Sequence, residues 1–559
     1  MNAQRFPAAA FTLLPVLAAA CALAQAAAPQ TPSAAEHSQQ NVLAELALQR
    51  GDCRTAAQNF AAGSQGASVT QARRATEVAF DCEQVFPAYT AAQNWLQAAP
   101  HDRQVSIVYA AAALRLYKVP EARAALGTAL KASPPMADAA FIGLTQALVQ
   151  QADANAAFAA LNGLADGPSA SAPMLTMMAQ LALQAYDFGR AEALMRQVLQ
   201  KEPGRLESLR LKERLAILRG DAAAALATAR EVMKASPEDG EFELVEVYVA
   251  LNRPEDARRE LERMRVTGVD DAAIDRRLAV LDLDSGKLES AQKRFVSLLD
   301  RGEAGDNALL LLAQITARLG DRTTALSLYR QLLESPLAEQ ARVDVAGLLM
   351  QQGKRADALA MLDTQADKSA HGTFQLLLDK AHLLADHGDP EGALLLLTAG
   401  LQSYPNHPTL EYELATLQER AGHIPESLRT FEQLLTERPD DPTVLNALGY
   451  TLADHSQQLP RAEQLIRKAL AVTPDSPSAL DSLGWVRLRR GEAREAAGIL
   501  EKAYALGQDA DIAAHWGEAL WMSGAKPQAL KVWNEAKSRH PDSPVLTSTL
   551  KRLAPTRKQ

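Results

Sequence analysis

Long apolar runs, aromatic rings, cysteines and surplus positive charge are all scarce in this chain of 559 residues. Beyond the N-terminus no apolar stretch reaches the ~20 residues that a membrane-crossing helix requires, which excludes a span in the body of the chain. Aromatics make up 5% of residues although hydrophobic residues make up 47%, with Ala and Leu supplying much of that content. Ala and Leu lose little side-chain entropy in a helix, whereas strands favour β-branched and aromatic residues, so the composition predicts helices rather than sheets. A formal net charge of −9 argues against nucleic acid as a partner, which would call for a basic stripe. The basic runs Arg205, Arg210, Lys212, Arg214, Arg219 and Arg258, Arg259, Arg263, Arg265 carry interspersed acids and read as solvated helix faces.

Catalytic signatures are missing as well. There is no GxxxxGK[ST], GxGxxG, GxSxG or HExxH motif, and the three cysteines and ten histidines form no CxxC or zinc-binding spacing. His382, Asp386 and His387 share one predicted helix, but residues five apart do not share a face, so they read as surface polar groups. His515 beside Trp516, and Asp481 before Trp485, read as packing or binding residues. No catalytic residue, cofactor or metal is expected.

What is present begins with an export pattern. Arg5 precedes an apolar, Ala-rich segment from Phe6 to Leu23, followed by Ala22-Leu23-Ala24 and Ala24-Gln25-Ala26, either of which suits an A-x-A cleavage site. Residues 1–26 are therefore expected to be a signal peptide and residues 27–36 a disordered linker. A second reading centres on Leu17-Ala18-Ala19-Ala20-Cys21, which is similar to a bacterial lipobox, with Cys21 as the acylated residue. The usual pattern has Leu three residues before the cysteine, where Ala18 stands, so ordinary cleavage is placed first. Cys53 and Cys82 remain, 29 residues apart. In an oxidising compartment such a pair is expected to bridge, Cys53 opening one second helix and Cys82 in the next repeat's turn; the alternative is two buried thiols.

The chain is then dominated by a period. Pro405, Pro439, Pro474 and Pro541 are spaced by 34, 35 and 67 residues, the last being two repeats. With Pro541 as position 32 of a 34-residue unit, Gly517 falls at position 8, Leu520 at 11, Gly524 at 15, Ala529 at 20, Trp533 at 24 and Ala536 at 27. The preceding units place Gly484, Gly491, Ala496, Leu500 and Ala503, then Gly449, Leu452, Ala462, Ile466 and Ala469, at corresponding places, with one extra residue near Ser456. Upstream, Gly388/Ala393, Gly353/Ala358, Gly320/Ala325, Gly286/Ala291 and Gly220/Ala225 repeat the turn-plus-small-residue spacing, and Asn252/Ala257 is a variant. Small residues at 8 and 20 let two helices approach, Gly at 15 permits the turn, and Pro at 32 ends the second helix.

These positions resemble those of the tetratricopeptide repeat family, whose unit is a helix-turn-helix. The resemblance implies an all-α superhelical solenoid of about fifteen repeats from Ser38 to Leu553: a degenerate array over 37–370, well-matched repeats over 371–541, and a capping helix and tail over 542–559. The stretches Pro134–Pro173 and Thr364–Thr373 are expected to be the loosest. Family groove positions, transferred residue by residue, give Tyr412 and Thr416, then Asn446, Tyr450 and Asp454, then Asp481, Trp485 and Arg489, then Glu518, Trp521 and Met522. Tyr412, Tyr450, Trp485 and Trp521 would then form an aromatic row along a protein-binding groove; the competing reading is that Tyr450 and Trp485 pack between repeats.

The text Leu445-Asn446-Ala447-Leu448-Gly449-Tyr450, Leu480-Asp481-Ser482-Leu483-Gly484-Trp485 and His515-Trp516-Gly517-Glu518 looks like that of exported proteobacterial tetratricopeptide proteins. That group includes the outer-membrane lipoprotein adaptor of a carboxyl-terminal processing protease. It implies a non-enzymatic scaffold in the periplasm, gathering such a protease and its cell-wall-hydrolase substrates. A subunit of an exopolysaccharide or outer-membrane secretion assembly is the alternative.

Overall fold

A computed structural model describes residues 34–554 apart from 166, 168–169, 238–239, 268–269, 365–369 and 542. Among the described residues there are thirty-one α-helices, numbered α1 to α31 in chain order, and no strand. The expected signal peptide and Cys21 lie outside them. Helix α1 (Ala34–Gln49) starts three residues inside the stretch expected to be linker, because Ala-Ala-Glu has high helix propensity. Of the stretches expected to be loosest, Pro134–Pro173 contains α7 (Asp138–Gln151), α8 (Ala154–Leu161) and the first turn of α9 (Ala172–Gln184), and Thr373 lies inside α21 (Ala370–Asp386).

Helices pair in sequence as antiparallel hairpins, and α31 (Pro544–Leu553) closes the array with Pro544 in its first turn. Pro405, Pro439, Pro474 and Pro541 each follow the C-cap of a second helix, where a residue lacking N–H and clashing with the preceding turn ends it. Gly422, Gly491 and Gly524 take the left-handed conformation at the hairpin turn, with φ of 84°, 84° and 94°. Glu83, Tyr117 and Tyr186 adopt the same conformation in N-terminal turns, at φ of 53°, 54° and 55°. A side chain there costs about 1–2 kcal/mol, so these three positions carry a local penalty that something else must offset.

The small residue at position 8 meets a different neighbour from the one its spacing suggests. A Cβ on Gly449, Gly484 or Gly517 would lie 2.6, 2.5 or 2.0 Å from the large residue at position 24, namely Ile466, Leu500 or Trp533. Backbone approach to position 20 is secondary: the Ala462 carbonyl would lie 3.1 Å from a Cβ on Gly449. Phe295, Phe431 and Trp533 fill this central slot and are 1%, 1% and 0% exposed. Burying such a side chain is worth roughly 1.5–3 kcal/mol.

The array curves. The first helices α25 (Pro442–Asp454), α27 (Pro477–Arg489), α29 (Ala510–Met522) and α31 pack on one another in succession. The second helices α26 (Leu459–Val472), α28 (Ala493–Leu506) and α30 (Lys526–Arg539) touch each other far less. Closer spacing on one side places the first helices on the inner wall of the bend.

Curvature continues until the chain meets itself. Arg54 Nη1 donates to the Gln402 carbonyl at 2.6 Å, and Gln84 Nε2 to the Ser403 carbonyl at 3.0 Å. Glu83 pairs with Arg115, and His407 Nε2 lies 4.0 Å from its carboxylate. Arg438, ion-paired to the buried Asp441 at 2.7 Å, sits 5.7 Å above the Tyr117 ring. Asp475 N–H donates to the Tyr186 carbonyl at 2.9 Å, and Phe188 N–H to the Asp475 carboxylate at 3.2 Å. Residues 287 to 348 apart in sequence thus touch across successive superhelical turns. The three N-terminal left-handed turns without glycine or asparagine, at Glu83, Tyr117 and Tyr186, all lie in this clasp.

At the N-terminal end Cys53, the first residue of α2 (Cys53–Gly63), is bonded to Cys82, the C-cap of α3 (Val69–Asp81), with Cα atoms 5.3 Å apart. The bridge ties consecutive hairpins together across 29 residues. A loop of that length predicts about 2–4 kcal/mol of stabilisation. Denaturant titration of the Cys53→Ser/Cys82→Ser double variant is expected to show a loss of that size confined to the N-terminal repeats.

Candidate protein-binding groove

The inner wall is built by α23 (Pro408–Arg420), α25, α27 and α29. Each presents side chains every three to four residues along one stripe, as helical geometry requires. The expected aromatic row does not form as flat exposed surface. Trp485 is 6% exposed and stacks on His515 at 4.2 Å with an interplanar angle of 24°. Its Nε1 donates to Asp454 Oδ1 at 3.1 Å, so the ring is held between three repeats. Tyr450 is half-buried, its ring 6.3 Å from His515. Tyr412 is half-buried edge-on to Phe431 at 5.7 Å, and burial pushes its hydroxyl up to about 12. Trp521, also half-buried, packs 5.8 Å from Trp533 and carries Lys526 Nζ 4.8 Å above its ring. Met522 is 63% exposed, the most open of these residues.

Polar residues of the wall are knitted from repeat to repeat. His515 Nδ1 lies 3.0 Å from both carboxylate oxygens of Asp481, and both residues are buried. Burial disfavours the imidazolium, yet the adjacent Asp481 charge and hydrogen bond, helped by Asp511 and Glu518, outweigh it and hold the His515 pKa above its ordinary value. Glu518 is held by both guanidinium nitrogens of Arg552, at 3.0 and 2.5 Å. Arg489 reaches over Trp485 at 5.5 Å and donates to Ser456 Oγ at 2.6 Å. Asn446 differs, because its buried Oδ1 accepts no hydrogen bond. A buried acceptor without a donor costs about 1–3 kcal/mol, which a backbone N–H of a bound segment would recover.

The cross-repeat partnerships escaped a reading that took each repeat separately. Asp481 with His515, and Glu518 with Arg552, are each 34 residues apart, one period. Complementary residue types at the same register of adjacent units were the available signal.

A carboxyl at the start of the wall makes a pH prediction. Glu411, 6% exposed and with an unpartnered Oε2, is pushed up to about 7 by burial and secondarily by Glu437. Its folded-state pKa exceeds the unfolded value of about 4.5, so the folded protein holds a proton that the unfolded chain releases. The resulting loss of stability is absent below pH 4.5 and complete above pH 7. Glu411→Gln should match the parent at pH 4 and exceed it at pH 8 by up to ~3 kcal/mol in denaturant midpoint analysis.

Sequence models of the tetratricopeptide repeat match residues 216–281 and 384–449, and a second such model matches 276–342. Two of these three matches fall upstream of residue 370, in the stretch that reads as degenerate by eye. A TPR repeat-containing protein of Pseudomonas aeruginosa is 28% identical over 213 residues, which is 38% of this chain and 36% of that relative's length. Among solved structures, the Cut9–Hcn1 hetero-tetramer of the APC/C is matched at 15% identity, over 86% of this chain and 95% of that one, with a TM-score of 0.30. A thermophilic TPR protein of Thermus thermophilus is matched at 24% identity, over 32% and 98%, with a TM-score of 0.29. Solenoids of this kind offer extended concave surfaces that bind other proteins. Stacked hairpins, left-handed turns at one register and the three repeat matches make the fold an all-α tetratricopeptide superhelical solenoid.

Proposed function

We propose that the chain is an exported, non-enzymatic scaffold of the bacterial cell envelope that presents substrates, such as cell-wall hydrolases, to a periplasmic carboxyl-terminal processing protease. The observation that carries the binding reading is Asn446 on the inner wall, with a buried side-chain acceptor left open beside half-buried Tyr450. An amide there would bind the backbone of an extended segment, and the neighbouring rings would supply apolar area, the usual source of interface energy. Export is supported by the N-terminal charge-then-apolar pattern and by the Cys53–Cys82 bridge, which suits an oxidising compartment. Anchoring to the outer membrane would follow if Cys21 is acylated, and mass spectrometry of the mature N-terminus reads that directly.

The test is affinity capture from periplasmic extract with the full chain and with Asn446→Ala/Tyr450→Ala. Recovery of a serine protease of the processing class by the parent, reduced tenfold or more in the variant at unchanged melting temperature, is the expected result. Recovery of glycan-synthesis or secretion subunits instead would place the scaffold in an exopolysaccharide or outer-membrane assembly. Retained capture by the variant would refute the groove.

A further inference from the structure

We propose that Glu419, Asp454 and His455 form a binding site for one divalent transition-metal ion of the zinc class, where the C-terminal ends of α23 and α25 meet. The site rests on its own residues and stands or falls separately from the scaffold reading. One ligand atom from each of the three residues lies within 4.8 Å of the other two. His455 Nε2 is 3.8 Å from Glu419 Oε1. Zn–N and Zn–O bonds of about 2.0–2.2 Å at tetrahedral angles set ligand atoms ~3.4 Å apart, so side-chain movements of up to about 1.4 Å would draw the three residues onto one ion. Imidazole with two carboxylates is a donor set that suits zinc and its neighbours, and its two negative charges match a divalent ion.

Two features of this place call for a cation. His455 Nε2 is buried without a hydrogen-bond partner and faces the Glu419 carboxylate. Two helices, α23 ending at Arg420 and α25 ending at Asp454, direct the negative ends of their dipoles to this spot.

The supporting residues are already in place. Trp485 Nε1 holds Asp454 Oδ1, leaving Oδ2 for the ion, and Arg489 donates to Ser456 Oγ and, at 3.4 Å, to the Asp454 carbonyl. Such outer contacts orient metal ligands and are worth about 10–100-fold in affinity. The turn that follows contains the one-residue insertion noted in the repeat, with both Ser456 and Gln458 in the left-handed region at φ of 53° and 43°. Strained backbone of this kind collects at functional sites. With three protein ligands, a fourth position remains for water or for a side chain of a bound protein.

Equilibrium dialysis and calorimetry of the full metal-free chain with Zn²⁺ should show one saturable site. Co²⁺ should report tetrahedral coordination in its visible spectrum and quench Trp485, whose indole is bonded to one of the ligands. His455→Ala and Glu419→Gln should each weaken the site tenfold or more, with circular dichroism confirming that both remain folded. His382→Ala, at a half-exposed histidine paired to Glu413, should leave it unchanged. Absence of saturable binding, or binding that survives both ligand variants, would overturn the proposal.

Discussion

Trp533→Ala is expected to cost ~3–5 kcal/mol and to melt the last repeat and the capping helix ahead of the rest of the array. The ring is fully buried, its Nε1 donates to the Ala514 carbonyl at 3.2 Å, and it stands where a Cβ on Gly517 would fall 2.0 Å away. Truncating a buried Trp of this kind removes its apolar burial and leaves a cavity. A solenoid holds each unit only by its neighbours, so the damage propagates to the end α29–α31 and stops inward. Calorimetry should resolve an added low-temperature transition. Gly517→Ala approaches the same slot from the other side, overpacking it at a cost of about 1–3 kcal/mol. Shrinking the ring first, as in Trp533→Leu, should abolish most of the Gly517→Ala penalty. Additive costs in the double variant would show that the two positions do not share the slot.

A second large effect is expected at the clasp between superhelical turns. Arg438→Ala leaves Asp441 buried without its ion-pair partner, a loss on the order of 3–5 kcal/mol, and also removes the cation above Tyr117. That variant weakens both its own repeat and the contact between turns, so a cleaner probe is needed. Glu83→Gly/Tyr117→Gly/Tyr186→Gly removes clasp side chains while placing glycine in turns that already run left-handed. Each change relieves about 1 kcal/mol of backbone strain, which offsets part of the lost Tyr117 burial and of the lost Glu83–Arg115 pair. Small-angle scattering should nevertheless show a larger radius of gyration, because the turns separate. An unchanged radius would mean that the clasp does not set the pitch of the superhelix.

Most of the hairpin plan was legible in the residue order. Pro439 and Pro474 end helices wherever they stand, Gly422 and Gly491 sit in left-handed turns, and Ala462 and Ala496 are buried between helices. Those requirements are local and recur with the period, so a single chain displays them many times. The groove was less legible. Tyr450 and Trp485 occupy positions that either face a ligand or pack on the next unit, and spacing alone does not separate the two. Trp485 turned inward because Asp454 and His515 of the flanking repeats supply its partners.

By itself the sequence determined the helical hairpin, its length and the direction of its stacking, since each depends on residues less than one period apart. It also contained the apparent flaws at Glu83, Tyr117 and Tyr186, where the turn code is broken. Only the tertiary structure decided why those flaws are tolerated. A small rotation per repeat, summed over many units, brings residues about 290 to 350 positions apart into contact. No local period records that sum, so the partners Gln402, His407, Arg438 and Asp475 become visible only when the turns are laid side by side.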